Sequence, residues 1–474
     1  IRIGQNKSAS VFMEEPSLLQ GVSKWIAVGN TNPGALWMDG GILMVTNEAL
    51  IVSNDGKSEG YVRQNGGTIS LAGEDTDVAK IGVGTKTPYA SVHVAGGILT
   101  SRRKTYASNP YFTIGVKSIV AELYADGGEI SVPNERVQVG AWTDGAAQSS
   151  SLTVDGDAEV TVGLLVMGNS SATAKSIVNL NGGRLTSKNG FSTYSKTGPT
   201  RQINFNGGTL QIPDGSAFGI STAEKSVYPK GGKIASSGTS TVTASFRKAT
   251  GWGVGEITLT NPGSGYVTAP KVTISGGSGA KATAYAVMNK DGSVARVVVT
   301  CPGEGYAAND SVTVQFSALT GTGAAATAVL AENTTPTLTY GPGILVQGET
   351  NAFDGVVAVA PGATLKLGDD NKRCVFPNIA AFRPGDGALV RPMRAGYTKY
   401  LNSYDAEDGI SRIRYEGASG TCYLRVGTFN RNPTGFVLVD YFNENMSFKI
   451  DSTECISPST VSPVVNGLVF SNFG

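Results

Sequence analysis

The sequence predicts an all-β protein, a right-handed parallel β-helix (β-solenoid) with a small all-β insertion and an aromatic-rich β C-terminal cap. A Gly-Gly doublet returns in the setting apolar–x–apolar–x–Gly–Gly–x–apolar at 40–41, 66–67, 96–97, 127–128, 182–183, 207–208 and 231–232, and Asp155-Gly156 fills the gap. Successive intervals are 26, 30, 31, 28, 27, 25 and 24 residues. A second beat of the same period lies between the doublets: Ile1-Arg-Ile-Gly4, Ile26-Ala-Val-Gly29, Leu50-Ile-Val-Ser53, Ile81-Gly-Val-Gly84, Phe112-Thr-Ile-Gly115, Val137-Gln-Val-Gly140 and Leu165-Val-Met-Gly168. The segments between beats alternate apolar with polar residues, which places one face inward and one outward. A fixed period of this length marks stacked coils that bury an apolar face only against their neighbours.

Residues 1–235 therefore read as repeats of strand, glycine corner, strand, Gly-Gly corner, strand. Glycine suits the corners because it reaches positive φ without a Cβ clash, and Asn65, Asn181, Asn206, Asp39 or Asp126 before a doublet also tolerate left-handed geometry. At one rung per repeat, each adding about 4.8 Å, eight rungs would span roughly 40 Å.

Over 236–250 the period is lost in a Ser/Thr-rich run. A different repeat follows in two copies, marked by Asn261-Pro-Gly-Ser-Gly-Tyr266 and Cys301-Pro-Gly-Glu-Gly-Tyr306, 40 residues apart. Each copy reads as three short strands, with the Pro-Gly setting a tight turn and the Tyr covering an apolar edge. Residues 236–336 are thus a paired Pro-Gly-x-Gly-Tyr β module. The solenoid pattern resumes over 337–369. Residues 370–474 carry more aromatic and charged side chains and fit a β cap or assembly domain, since open solenoid ends expose strand edges. Helical periodicity is weak throughout.

Composition narrows the function classes. The chain has 38 basic and 37 acidic residues, a net charge of +1 and only 16% charged residues, which leaves no basic footprint for nucleic acid. No run of 18 apolar residues offers a membrane span. The opening at Ile1, already in a repeat, suggests a processed product or a piece of a longer chain. The four cysteines, Cys301, Cys374, Cys422 and Cys455, lack a C-x-x-C spacing and so argue against zinc. Isolated buried thiols and disulfides stand as alternatives, the latter with three pairings open and a bridge among Cys374, Cys422 and Cys455 favoured.

Chemistry-bearing residues are sparse. Glu74, Asp75 and Asp77 form the best carboxylate constellation and are the candidates for a metal or a catalytic pair, although a solvated corner loop explains them as well. Corner aspartates such as Asp39, Asp126 and Asp155 are expected to cap turns. His93 is the sole histidine, and in Ser91-Val-His-Val-Ala95 alternation places it on the outer face without a nucleophile partner in motif context. No H-E-x-x-H or P-loop is present, and no cofactor is expected. Arg102, Arg103 and Lys104 form a basic corner suited to an acidic glycan or a partner. Among Trp25, Trp37, Trp142 and Trp252, the corner residues Trp37 and Trp142 are the candidates for stacking on sugars.

The alternation of apolar–x–Val–Gly with apolar–x–x–Gly–Gly–x–Leu resembles the β-helical passenger regions of bacterial autotransporters. The segment 345–367, LVQGETNAFDGVVAVAPGATLKL, is similar to the autotransporter-associated β-strand repeat. The resemblance covers 1–235 and 340–368; residues 370–474 do not read as the C-terminal membrane barrel of an autotransporter, a departure that leaves the secretion route open. The Pro-Gly-x-Gly-Tyr pair resembles modules of phage fibres and large bacterial surface proteins. These likenesses imply a non-enzymatic, secreted structural or adhesive protein at the bacterial cell surface or in an extracellular fibre. Its partners would be further copies, through solenoid edges or the C-terminal domain, and surface glycans. A β-helical polysaccharide lyase or glycoside hydrolase is the alternative, and a phage tail fibre or tailspike a further one.

Overall fold

A computed structural model describes residues 1–21, 25–55, 58–71, 79–81, 89–106, 110–116, 120–140, 149–168, 174–194, 200–368, 376, 378–392, 398–415, 422–441, 446–450, 464–465 and 468–472. The chain is all-β, with parallel stacked sheets forming β-solenoid turns, about 14 in number. Among the described residues there is no helix, and hence none long and apolar enough to cross a membrane. Two compact units are present, one of residues 1–208, 222–224 and 249–334, the other of 209–221, 225–248 and 335–474.

In the first unit each coil has three strands. One coil runs Ile26–Val28, Gly34–Met38, Ile42–Val45, and the next Leu50–Val52, Gly60–Gln64, Thr68–Leu71. Strands one coil apart pair in parallel, as in Ile26↔Leu50, Leu36↔Val62 and Ile42↔Thr68, with register shifts where Glu129–Val139 meets Pro110–Ile114 and Glu159–Met167. The inward positions line up as ladders. Leu36, Val62, Val92, Leu123, Leu152, Val178 and Ile203 are consecutive rungs of one ladder, and all are buried. Each such side chain contributes about 1.5–3 kcal/mol of burial, so the ladder alone explains why register is held.

The Gly-Gly corners stack on one another. Gly41, Gly67 and Gly97 all take φ between 70° and 75°. A Cβ on Gly97 would lie 2.3 Å from the Gly67 carbonyl oxygen, and one on Gly96 would lie 2.3 Å from the Asn65 oxygen. In these doublets the second glycine is required by φ and the first by rung spacing, whereas at 207–208 and 231–232 it is the first glycine that takes positive φ.

The inserted module spans Trp252–Glu332 and is antiparallel. Its two copies exchange strands. The first strand of copy one, Trp252–Ser264, pairs with the last of copy two, Thr322–Glu332, while Val294–Cys301 of copy two pairs with Thr283–Met288 of copy one. The middle strands Lys271–Ser275 and Thr313–Ser317 pair with each other. Tyr266 and Tyr306 are both buried, and each lies across a glycine of the other copy, Gly321 and Gly279 respectively.

In the second unit the strands Thr209–Ile212, Gly232–Ser236, Thr337–Tyr340, Val356–Val359 and Ala381–Pro384 stack in parallel. Two features differ from the sequence expectation. Solenoid strands run on through the Ser/Thr-rich stretch to Lys248, since Thr239–Val242 pairs in parallel with both Ala217–Phe218 and Ile344–Gln347. Buried Ser240, bonded to Pro213 O and to Ser236, takes an inward place that is elsewhere apolar, which hides the beat. The aromatic segment expected as a cap continues the parallel stack: Thr398–Ala406 pairs with Cys422–Arg431, and Gly409–Tyr415 with Gly435–Tyr441. Tyr404 is fully buried between Phe382 and Phe429 at ring distances of 5.7 and 5.8 Å, whereas Phe436 is exposed.

Candidate functional site beneath the inserted module

The inward ladder from Leu36 to Ile203 in the central sheet of the first unit is aliphatic, whereas the outward positions are rich in aromatic and charged residues over successive rungs. One outward column runs Phe12, Trp37, Arg63, His93, Tyr124, Thr153, Asn179, Asn204, and its neighbour runs Ala35, Tyr61, Ser91, Glu122. The module packs onto these columns. Trp37, Tyr61, Tyr89 and Tyr124 share one apolar cluster with Val254, Ile257, Tyr266, Tyr285 and Val297 of the module.

A chain of polar contacts crosses this seam. Lys290 pairs with Asp39, Asn65 donates to Asp39 Oδ1 (2.7 Å), and Arg63 Nε donates to Asn65 Oδ1 (2.7 Å). Arg63 Nη1 lies 2.8 Å from His93 Nδ1, His93 Nε2 lies 2.7 Å from Asp126 Oδ1, and Arg296 Nη2 donates to Asp126 Oδ2 at 3.0 Å. Both ends of the chain, Lys290 and Arg296, belong to the module. A guanidinium only donates, so His93 Nδ1 must accept, and the ring is neutral with its proton on Nε2. Burial holds the His93 pKa below its ordinary value against the pull of Asp126. Burial works to raise the Asp126 pKa, but bonds from His93 and Arg296 bring it below the usual carboxylate range.

Two further carboxyls lie in the seam. Glu59, 2% exposed, accepts from Thr268 Oγ1 (2.9 Å) of copy one and from Leu319 N (3.0 Å) of copy two, and burial raises its pKa. Glu122 accepts from Tyr89 Oη, and burial pushes it up to about 7. At the far end Asn181 Nδ2 donates to Thr300 O (2.9 Å), and Lys281 Nζ is clamped by Glu224 and Glu304 at 2.7 Å each.

The structure brings few of the sequence-selected residues together. Trp37 is buried, stacked on Phe12 and edge-on to Tyr61, so it offers no face to a sugar. Arg103 is buried and bonded to both Glu135 oxygens (3.0 and 3.1 Å). Arg102, exposed, reaches the carbonyls of Leu71 and Val45, and Lys104 is exposed. Trp25 is half-buried on Ala27 and Ile51, with Arg2 over its ring. Glu74, Asp75, Asp77, Trp142, Cys374 and Cys455 lie outside the described residues, and of Cys422 only the strand position is described. Cys301 is buried in the module. Among the described residues no group of three or more His, Cys, Asp or Glu side chains is placed to hold a metal. His93 does point away from the aliphatic ladder, but it is fully buried because the module covers that face.

The residues missed in the sequence are Glu59, Tyr61, Arg63, Tyr89, Glu122 and Tyr124, together with their module partners. Their signal is bulk: outward positions at 37, 61, 63, 93, 122 and 124 carry Trp, Tyr, Arg, His and Glu, where a solvated face would carry Ser, Thr or Asn. The partners, some 170 to 260 residues away, have no local signal. Compared with protein-family models, curated proteins and solved structures, the chain matches none.

Proposed function

We propose that this chain is a non-enzymatic structural or adhesive protein of the extracellular or cell-surface kind, in which the solenoid is scaffold and the inserted module is held rigidly against it. The observation that supports this reading is the use made of the outward titratable residues. His93, Asp126, Glu59 and Glu122 are the groups best suited to acid–base chemistry, and each is engaged in or beneath the seam with the module instead of lining an open cleft. Side chains fixed in this way serve attachment. On this reading glycans or further copies would be met by surfaces away from the seam, including the exposed Arg102 and Lys104.

The test pairs two assays on the purified chain. One follows its mass against concentration and its retention on immobilised acidic glycans. The other follows release of reducing or unsaturated ends from uronic-acid polymers. Assembly or retention without release is expected. Catalytic release that scales with protein concentration would replace the proposal with a β-helical polysaccharide-cleaving enzyme.

A further inference from the structure

One face of the second unit stacks like charges in register. The strands Ile344–Gln347, Thr364–Leu367, Leu389–Pro392, Gly409–Tyr415 and Gly435–Tyr441 lie side by side in parallel. Their inward ladder of Leu345, Leu365, Val390, Ile413 and Val439 is fully buried, so the alternate positions face outward. There Lys366 pairs with Arg391, and the register Leu389↔Arg412, Val390↔Ile413 sets Arg391 level with Arg414 at the next residue. Three half-buried cations thus stand in single file along the stacking direction, about 4.8 Å apart, with the exposed Arg412 beside them. Like charges directly opposed on neighbouring strands destabilise a sheet. Burial holds Lys366 and Arg391 below their ordinary pKa values, and the next cation along adds to the shift, Arg391 for Lys366 and Arg414 for Arg391. The outward positions of these five strands hold one acid, Asp440, in register with Arg414 at the end of the file. With a net charge of +1 and only 16% charged residues, the chain has no general excess of cations to place here. The file is a local concentration of positive charge that an anionic ligand would relieve.

We infer that this face is a binding strip for a linear anionic glycan, laid along the stacking direction with one carboxylate or sulfate against each successive rung, a step that rests on the adhesive reading proposed above. Charge complementarity selects an anion, and spacing selects the polymer. Stacked nucleotides place phosphates about 3.4 Å apart along a strand. An extended acidic peptide places same-side carboxylates about 7 Å apart. One carboxylate per sugar, as in a polyuronate, comes closest to the rung repeat. The cations occupy two adjacent outward columns, about 7 Å across, a narrow track compared with the broad field of a membrane surface. Arg391 and Arg414 suit planar, two-point contact with a carboxylate or sulfate, whereas Lys366 supplies a point charge.

The experiment measures binding of the full chain to oligogalacturonates of increasing length. Hyaluronan fragments (a carboxylate on every second sugar), a single-stranded oligonucleotide and phosphatidylserine vesicles are run beside them. Affinity for oligogalacturonate is expected to climb with length until about three anions are held, then level off, with a log–log salt slope of about −2 to −3. Both readouts come from the unsubstituted chain and stand whether or not a variant folds. The combined Lys366→Gln, Arg391→Gln, Arg414→Gln chain is expected to bind roughly tenfold more weakly. Equal binding by that folded variant would overturn the strip and leave the adhesive reading in place, with the glycan held on another surface. Absence of binding to any glycan would also overturn the strip, and the adhesive reading would then stand or fall on self-association. Tighter binding to hyaluronan, the oligonucleotide or the vesicles would overturn the choice of ligand.

Discussion

Arg63 Nη1 donates to His93 Nδ1 across 2.8 Å, and that bond makes the only histidine of the chain a neutral, oriented link between the solenoid and its inserted module. The other ring nitrogen then points its N–H at Asp126, whose second oxygen receives Arg296. A residue that reads as an idle surface imidazole in sequence is a buried connector in the fold.

Asp126 is the member on which two bonds converge. Asp126→Ala leaves the buried His93 N–H and the exposed Arg296 guanidinium without their acceptor and should cost about 1–3 kcal/mol, the range for stranding a buried donor. Asp126→Asn keeps an acceptor for one donor and should cost roughly half as much. Urea unfolding followed by a module-specific probe measures both, and equal losses would contradict the two-bond account.

Corner stacking makes a sharper forecast for glycine. Gly97 and Gly190 both have positive φ, 71° and 85°, but a Cβ on Gly190 meets nothing within 4 Å, whereas one on Gly97 meets the Gly67 carbonyl at 2.3 Å. Gly190→Ala should cost about 1–2 kcal/mol, from backbone strain alone. Gly97→Ala should cost at least twice that, with the excess due to rung spacing. Equal melting shifts would mean that the doublets are not in van der Waals register.

Trp37 anchors the apolar part of the seam. Trp37→Ala should lower stability by about 3–5 kcal/mol, as for a large buried side chain. Its fluorescence should be shielded from quenchers in the native chain, together with little loss of solenoid strand signal in the variant. Ready quenching of Trp37 would place it at the surface and restore it as a sugar-stacking candidate.

Much of the fold was legible because solenoid packing is local and periodic. The doublets, the second beat and the alternating strands each recur at the spacing their physics demands, and the three-strand coil follows from them. Three things were not legible. Ser240 satisfies its hydroxyl inside the core and so breaks the apolar beat without breaking the solenoid. Tyr404 and Phe382 are interior side chains, and composition alone makes such aromatics look like a cap. The site depends on contacts between Glu59 and Thr268 or between Asp126 and Arg296, residues linked only by the insertion folding back onto its own scaffold. Alternation told which way His93 points, but not that another segment covers it.

The most direct test of the central claim, that the outward ladder exists to seat the module, is a double-mutant cycle between Glu59 and Thr268. The two are buried and joined at 2.9 Å across the seam. Glu59→Ala, Thr268→Val and the double variant are compared by equilibrium unfolding. A coupling of about 1.5–3 kcal/mol, the range for a hydrogen bond to a charged group, is the predicted result. Additivity within about 0.5 kcal/mol would contradict the account, since it would mean that the module and the solenoid do not meet there.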